Sequence, residues 1–537
     1  MNARHSRSAV PRRVMTLVAA GALSLSACGG GGSTQAGGAT GGSGNPNGTF
    51  SAGILSYFVL HLTPGQSGNS YIDYALFTPL TSVDPKTKEV SMKVAESVQS
   101  SDQKVWHIKL KDWTFSDGTK VTASSFAKAW SATALGKNGW IGNSQFSIIE
   151  GYGDLNPATG DAKETELKGV KVVDDRTLEV TLAAPNAMFP YILSGTTWAP
   201  MPDSAFSDLK SYDAKPVGNG PFMIEGSGIG PGVQSLKLVR NETYAGTKAK
   251  AKSVDVKLYQ DANSQYTSFQ GGAIDIALID GNNLADAKTR FKDRLVEVNF
   301  PAVVFLAFPL WDKRFEDIKV RQAMAMAIDR ETIAKSLLRD SADPATTLAP
   351  PSLLGAEGVP CDTCVYDPHK AKSTLGSWSG KLELWTTDDP TQSEVLKAIG
   401  NEFRTSLGIA DVATQSQSIA QLYTSLGQKK LNGPFLLYTG VTYPHLYTLT
   451  SNLFTPTLFN VTGYSSQQVT DDLAAAASAG DPKDALAKTK AAAEVALEDL
   501  SLTPVYFPKG GLVSSAKVTA VSAEVLGGPQ LAKVVVR

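Results

Sequence analysis

The stretch Val320-Arg321-Gln322-Ala323-Met324-Ala325-Met326-Ala327-Ile328-Asp329-Arg330 carries a single apolar stripe. Val320, Met324 and Ile328 recur every four residues, and Ala323 and Ala327 fill the face between them, so the pattern predicts an amphipathic helix. Asp329 then stands where a carboxylate can accept the first free amides of a second helix running through Leu338. Arg321 reads as a capping or pairing residue. Helical signals continue downstream: Asp481-Pro482 is a cap followed by a first-turn proline, and Leu486, Ala493, Leu497 and Leu500 line one face of the helix after it. Upstream the period changes to two. Trp106, Ile108 and Leu110 alternate with His107 and Lys109, and Leu178, Val180 and Leu182 alternate after Asp174-Asp175, as half-buried strands do. Turn chemistry separates these runs at Asp117-Gly118, Asn156-Pro157 and Gly218-Asn219-Gly220-Pro221. Strands return over residues 503–507 and 533–536. No short repeat and no strict strand–helix–strand alternation appears, which fits α/β lobes assembled from discontinuous segments.

The amino terminus reads separately. Arg4, Arg7, Arg12 and Arg13 precede an apolar run from Val14 to Ala27. That is a secretory signal, too short to span a bilayer at about 20 apolar residues. Leu25-Ser26-Ala27-Cys28 resembles the lipobox of bacterial lipoproteins, which implies cleavage before Cys28 and lipidation of that thiol; the alternative is an ordinary cleaved signal. The Gly/Ser-rich residues 28–49 read as a flexible tether. No later run approaches a membrane span, so the body is expected outside the cytoplasmic membrane, anchored by lipid alone.

The 537 residues carry a net charge of −1 with both signs mixed, and no basic stripe argues for nucleic acid. Cys361 and Cys364 most simply form a short disulfide in an oxidising exterior. A zinc site using both with His369 lacks a fourth ligand. His61, His107, His369 and His445 show no metal spacing, and no Gly-x-Ser-x-Gly elbow exists. Neither an enzyme, a cofactor nor a metal centre is expected.

Several segments in order carry a resemblance. They are Phe77-Thr78-Pro79-Leu80, Trp113-Thr114-Phe115-Ser116-Asp117-Gly118, Pro216-Val217-Gly218-Asn219-Gly220-Pro221-Phe222, Gly272-Ala273-Ile274-Asp275, the helix quoted above, and Tyr366-Asp367-Pro368-His369-Lys370-Ala371. The set resembles the extracellular solute-binding proteins of the oligopeptide/dipeptide ABC-importer class over residues 50–537. The resemblance implies a two-lobed periplasmic-binding-protein type II fold with an extra small domain in the first half. Lobe I would comprise residues 50–300 with the small domain at about 80–200. Lobe II would comprise 301–495, and 496–537 would return to lobe I. It further implies a monomer that captures a short peptide between the lobes and hands it to an ABC permease with its ATPase subunits. A sugar, metal chelate or heme stays open as cargo, and an extracellular hydrolase as a different class.

Relatives of this class place a ligand-amine-binding aspartate in a Trp-x-Ala-Asp-Tyr segment. The matching stretch here, Thr439-Gly440-Val441-Thr442-Tyr443-Pro444, has Thr442 in the aspartate's place and keeps Tyr443. Thr439, Gly440, Thr442 and Tyr443 are therefore candidate ligand residues, with a neutral hydroxyl where a charge-assisted anchor is expected. Tyr57, His61 and Thr63 lie where relatives supply ligand contacts early in the chain. Trp385 follows a strand at a position suited to an interlobe cleft, and Tyr438 and Tyr506 flank hinge-like segments. For each aromatic, core packing is the competing role.

Overall fold

The structure is a computed structural model that describes residues 44–67, 71–457 and 459–537. The signal sequence, Cys28 and most of the stretch read as tether lie outside the described residues. The rest of that stretch is already part of the body. The Asn45 amide donates to the Val536 carbonyl at 2.9 Å, and a Cβ at Gly48 would lie 2.1 Å from Val536 Cγ2. The tether boundary drawn at residue 49 is therefore too late for residues 44–48.

The Val320 stretch folds as read. Helix Ile318–Met326 buries Val320, Ala323, Met324 and Met326, and Asp317 caps it. Asp329 accepts the Thr332 amide at 2.9 Å and starts the next helical segment. Arg321 is buried and donates to the backbone carbonyls of Phe315, Glu316, Asp499 and Leu500. Arg330, 3% exposed, binds the carbonyls of Pro504, Ala325, Ile328 and Cys364 and the Thr503 hydroxyl. Burial pulls its pKa down to about 9. It remains charged at neutral pH, and those acceptors replace the water it has lost.

A twelve-stranded sheet runs through the body. In lobe I, strand Thr49–Leu55 lies parallel to Ser253–Tyr259, which continues antiparallel to Ser235–Arg240 and then to Phe222–Glu225. On its other side Ile276–Asp280 joins it to the long strand Leu502–Ser514. In lobe II, strands Val412–Gln417, Leu382–Thr387, Phe435–Gly440 and Ala302–Ala307 follow in that order and end on the same long strand. Leu502–Ser514 thus belongs to both lobes. Its first half pairs with Ala302–Ala307 and Ala342–Pro344, its second half with Ile276–Asp280 and Leu295–Asn299.

The chain leaves lobe I between Asn299 and Ala302 and returns at residues 508–510. The return is later than the boundary drawn at 496, because residues 502–508 still pair within lobe II. At the crossing the Phe300 amide faces the Pro508 carbonyl at 3.3 Å.

The small domain is a four-stranded antiparallel sheet of Ala95–Gln99, Val105–Leu110, Thr177–Thr181 and Val170–Asp174. Trp106, Ile108 and Leu110 face a core with Phe126, Trp130, Phe146 and Trp198. It is fastened to lobe I by residues 218–221. Asn219, fully buried, accepts the Thr78 amide and donates to the Thr78 carbonyl, both at 2.9 Å, while its own carbonyl receives the Trp113 indole. Gly218 is required there, since a Cβ would meet the Leu76 carbonyl oxygen at 2.0 Å. Among the described residues no helix is long and apolar enough to cross a membrane.

Candidate ligand-binding cleft

A cavity of about 860 Å³ opens where the two crossing segments run. Phe300, Tyr506, Pro508 and Lys509 come from those crossings. The lobe I wall is built at the carboxyl ends of strands. Leu55 and Tyr57 follow Thr49–Leu55, Asp261 follows Ser253–Tyr259, and Asp280 ends Ile276–Asp280. Lobe II contributes Asp389 and Gln392, just past Leu382–Thr387, and Tyr438 in Phe435–Gly440. Such strand ends leave a crevice edged by helix starts, the usual place for a ligand in an open α/β sheet.

The walls are acidic and aromatic. Asp261 caps its helix, accepting the Ser264 amide and hydroxyl at 2.8 Å each, which holds its carboxyl below the usual range. Asp389 accepts the Gln392 amide at 2.8 Å. Asp280 occupies the cap position of helix Gly281–Arg290 but makes no capping bond. Its side chain is exposed to the cavity, yet the surrounding walls strip most of its hydration. Its carboxyl is raised above the ordinary value by that desolvation and then by the Asp389 charge. Tyr57, Tyr438 and Tyr506 are all raised, first by lost hydration and then by Asp280 or Asp389. Lys509 is held by Asp343 at 2.6 Å.

Residues 89–459 match the bacterial extracellular solute-binding proteins, family 5 Middle. The chain belongs to this family. It is 25% identical over 429 residues to the dipeptide-binding protein DppE of Bacillus subtilis, covering 76% of this chain and 77% of that one. It is 29% identical over 217 residues to heme-binding protein A of Haemophilus influenzae, 39% of each chain. The structure of the Escherichia coli murein tripeptide-binding protein MppA superposes with a TM-score of 0.72 at 18% identity, over 92% of this chain and 99% of that one. The fold is therefore the two-lobed type II periplasmic-binding-protein fold of these family 5 proteins.

Set on this family 5 frame, the residues singled out in sequence separate. Tyr57, Tyr438 and Tyr506 line the cavity. Tyr438 also borders a second hollow of about 370 Å³ with Asp388, Ile419 and Tyr423. His61 does not line either hollow. Its Nδ1 lies 2.7 Å from Asp213 Oδ2, and the other Asp213 oxygen takes the Leu62 and Thr63 amides at 3.0 and 2.8 Å. His61 and buried Thr63 thus lock a turn. Trp385 is half-buried against the lobe II core. Thr439 is buried, Gly440 and Thr442 are exposed, and none of the three lines either cavity. Tyr443 is buried with Met188, Ala479 and Ala485 where the small domain meets lobe II, its ring 6.3 Å from that of Tyr191.

Cys361 and Cys364 are joined by a disulfide at the lobe II core. Among the described residues no three His, Cys, Asp or Glu side chains gather as a metal needs.

Asp261, Asp280 and Asp389 were not singled out in sequence. Asp280 and Asp389 each precede a helix, Gly281–Arg290 and Pro390–Glu402. The departure from capping at Asp280 has no sequence signal.

Proposed function

We propose that this family 5 protein is the substrate-binding lipoprotein of a bacterial ABC importer, anchored through Cys28, working as a monomer and taking short peptides between its lobes. The interlobe cavity at the strand ends is the observation that carries the reading. A solute seated there touches both lobes and the crossing strands, so the closed state gains contacts that the open state lacks. The closed form is then the one a permease recognises. Peptide main chain suits such a cleft, since backbone hydrogen bonds tolerate varied side chains.

A second reading keeps the fold and changes the cargo, and the heme-binding relative favours it. Among the described residues no His, Cys or Met lines the cavity, and burial holds its tyrosines above their ordinary range, against the phenolate that a heme iron takes, so peptide remains the better fit.

Native mass spectrometry of the purified protein identifies a co-purified solute. A peptide panel should raise the melting temperature, a hundredfold excess over Kd adding about 2.7 kcal/mol, and should reduce the radius of gyration. Tight binding without compaction contradicts capture between lobes. Cys28→Ser should move the protein out of the detergent phase, and unchanged partition refutes the anchor.

A further inference from the structure

We infer that the cleft takes its solute by a positive charge, with Asp280 of lobe I and Asp389 of lobe II receiving one ammonium or guanidinium group between them and Tyr506 closing beside it. The inference rests on the proposed solute-binding role and names what the solute must carry.

Four observations converge. First, the acids lining the cavity are Asp261, Asp280 and Asp389, with Glu524 raised by burial and held by Gln530 at 3.1 Å, against Lys509 alone, and Lys509 already pairs with Asp343 at 2.6 Å. The cleft is therefore a negative field with low-dielectric walls, which concentrates cations. Second, Asp280 stands at a helix cap, where an aspartate ordinarily accepts an amide of the first turn, and its side chain makes no such bond. Asp389 uses only Oδ1 for its own cap, leaving Oδ2 unengaged among the described residues. Each lobe thus presents unspent carboxylate oxygen to the cavity. Third, Tyr506 is 5% exposed and lines the cavity, and among the described residues no group hydrogen-bonds its hydroxyl. The hydroxyl itself stays open to the cavity, where it can bond a ligand atom. Fourth, Tyr57 and Tyr438 add aromatic surface to the same walls, which suits an organic cation. A metal ion fits less well, because no third ligating side chain joins the two carboxylates among the described residues.

The consequence for closure is direct. Two carboxylates on opposite lobes repel while the cleft is empty and attract a shared cation when it is filled. Charge recognition and domain closure are then one event. The anchor is also displaced from Thr442, which is exposed and lines neither cavity.

The test uses the full mature chain and three probes: trialanine, N-acetyl-trialanine and spermidine. Calorimetry is run on wild type, Asp280→Asn, Asp389→Asn and the double variant. Asparagine preserves a helix cap, and an unchanged circular-dichroism spectrum confirms folding. Each single variant should weaken trialanine about tenfold to a hundredfold, the range for losing a charged hydrogen bond. The acetylated peptide should bind wild type correspondingly weakly and be indifferent to the substitutions. Equal affinity for both peptides, together with Asn variants that bind like wild type, overturns the inference while leaving peptide capture intact. Carboxylate-dependent binding of spermidine without any peptide binding upholds the cation site and removes the peptide cargo. Binding of no probe removes both.

Discussion

Asn219→Ala should loosen the seam between the small domain and lobe I by an amount that the structure fixes. The Asn219 amide pairs with the Thr78 backbone as a neighbouring strand would, accepting the N–H and donating to the C=O at 2.9 Å each. Asn219 is 0% exposed and Thr78 is 6% exposed, so water cannot replace either bond. A buried group left without its partner costs about 1–3 kcal/mol. Two such groups set a range of about 2–6 kcal/mol, and because amide donors suffer more than carbonyls with a second lone pair, about 3 kcal/mol is expected. In a chain of 537 residues the unfolding entropy is so large, at ~2.1 cal/mol/K per residue, that the melting temperature should fall by only about 3 °C. Equilibrium urea unfolding is the better assay, with tryptophan fluorescence as the probe, since Trp113 donates its indole N–H to the Asn219 carbonyl. Asn219→Asp keeps the acceptor but loses the donor and buries a charge. It should be worse than alanine at neutral pH and recover as the solution is acidified. A loss below about 0.5 kcal/mol for Asn219→Ala, the level of an ordinary surface change, refutes the seam.

Two further outcomes are specific. Burial pushes the Glu402 carboxyl up to about 7 from 4.5, against the opposing effect of the Asp329 amide it accepts at 3.2 Å. The folded state thus holds this proton more tightly than the unfolded state does, so its stabilisation is complete below about pH 4.5 and is lost as pH rises through about 7. The loss is at most about 3.4 kcal/mol. Glu402→Gln should abolish that part of the pH dependence and stabilise the protein at pH 8; identical stability–pH curves for the two proteins refute it. Thr442→Ala should leave trialanine affinity within about twofold, as for a surface substitution, because its side chain is exposed and lines neither cavity. A tenfold loss by calorimetry places it in the ligand's reach.

What the sequence made legible is what local physics decides. The alternation at Trp106, Ile108 and Leu110 became strand Val105–Leu110 because one face meets a core and the other meets water. The caps at Asp329 and Asp481 each accept an amide of the helix that follows. The stripe of the last long helix was less well read. Ala493 and Leu497 are buried as expected, and Leu500 is buried just past the helix end, but Leu486 is only partly so, and Ala485, Thr489, Ala492 and Ala496 share the buried face because close packing there selects small residues over large ones. Strand Ala302–Ala307 is buried throughout and shows no period at all. The cleft is legible only in the fold. Asp280 and Asp389 lie more than a hundred residues apart, and each looks like a helix start. Only the meeting of two lobes brings them to one cavity. His61 shows the converse, a residue whose chemistry draws attention but whose partner, Asp213, is structural.

The long strand Leu502–Ser514 has a bearing on how the molecule is made. It is the shared partner of Ala302–Ala307 in one lobe and of Ile276–Asp280 in the other. Neither lobe's half of the sheet can be completed until the last tenth of the chain is present. A polypeptide emerging from its amino terminus must therefore hold both lobes unfinished, and its slowest step should be the late docking of a distant strand, the costly kind of contact in folding. A chain that ends before Leu502 lacks the central strand of both lobes at once, and so should fail as a whole rather than lose one lobe and keep the other.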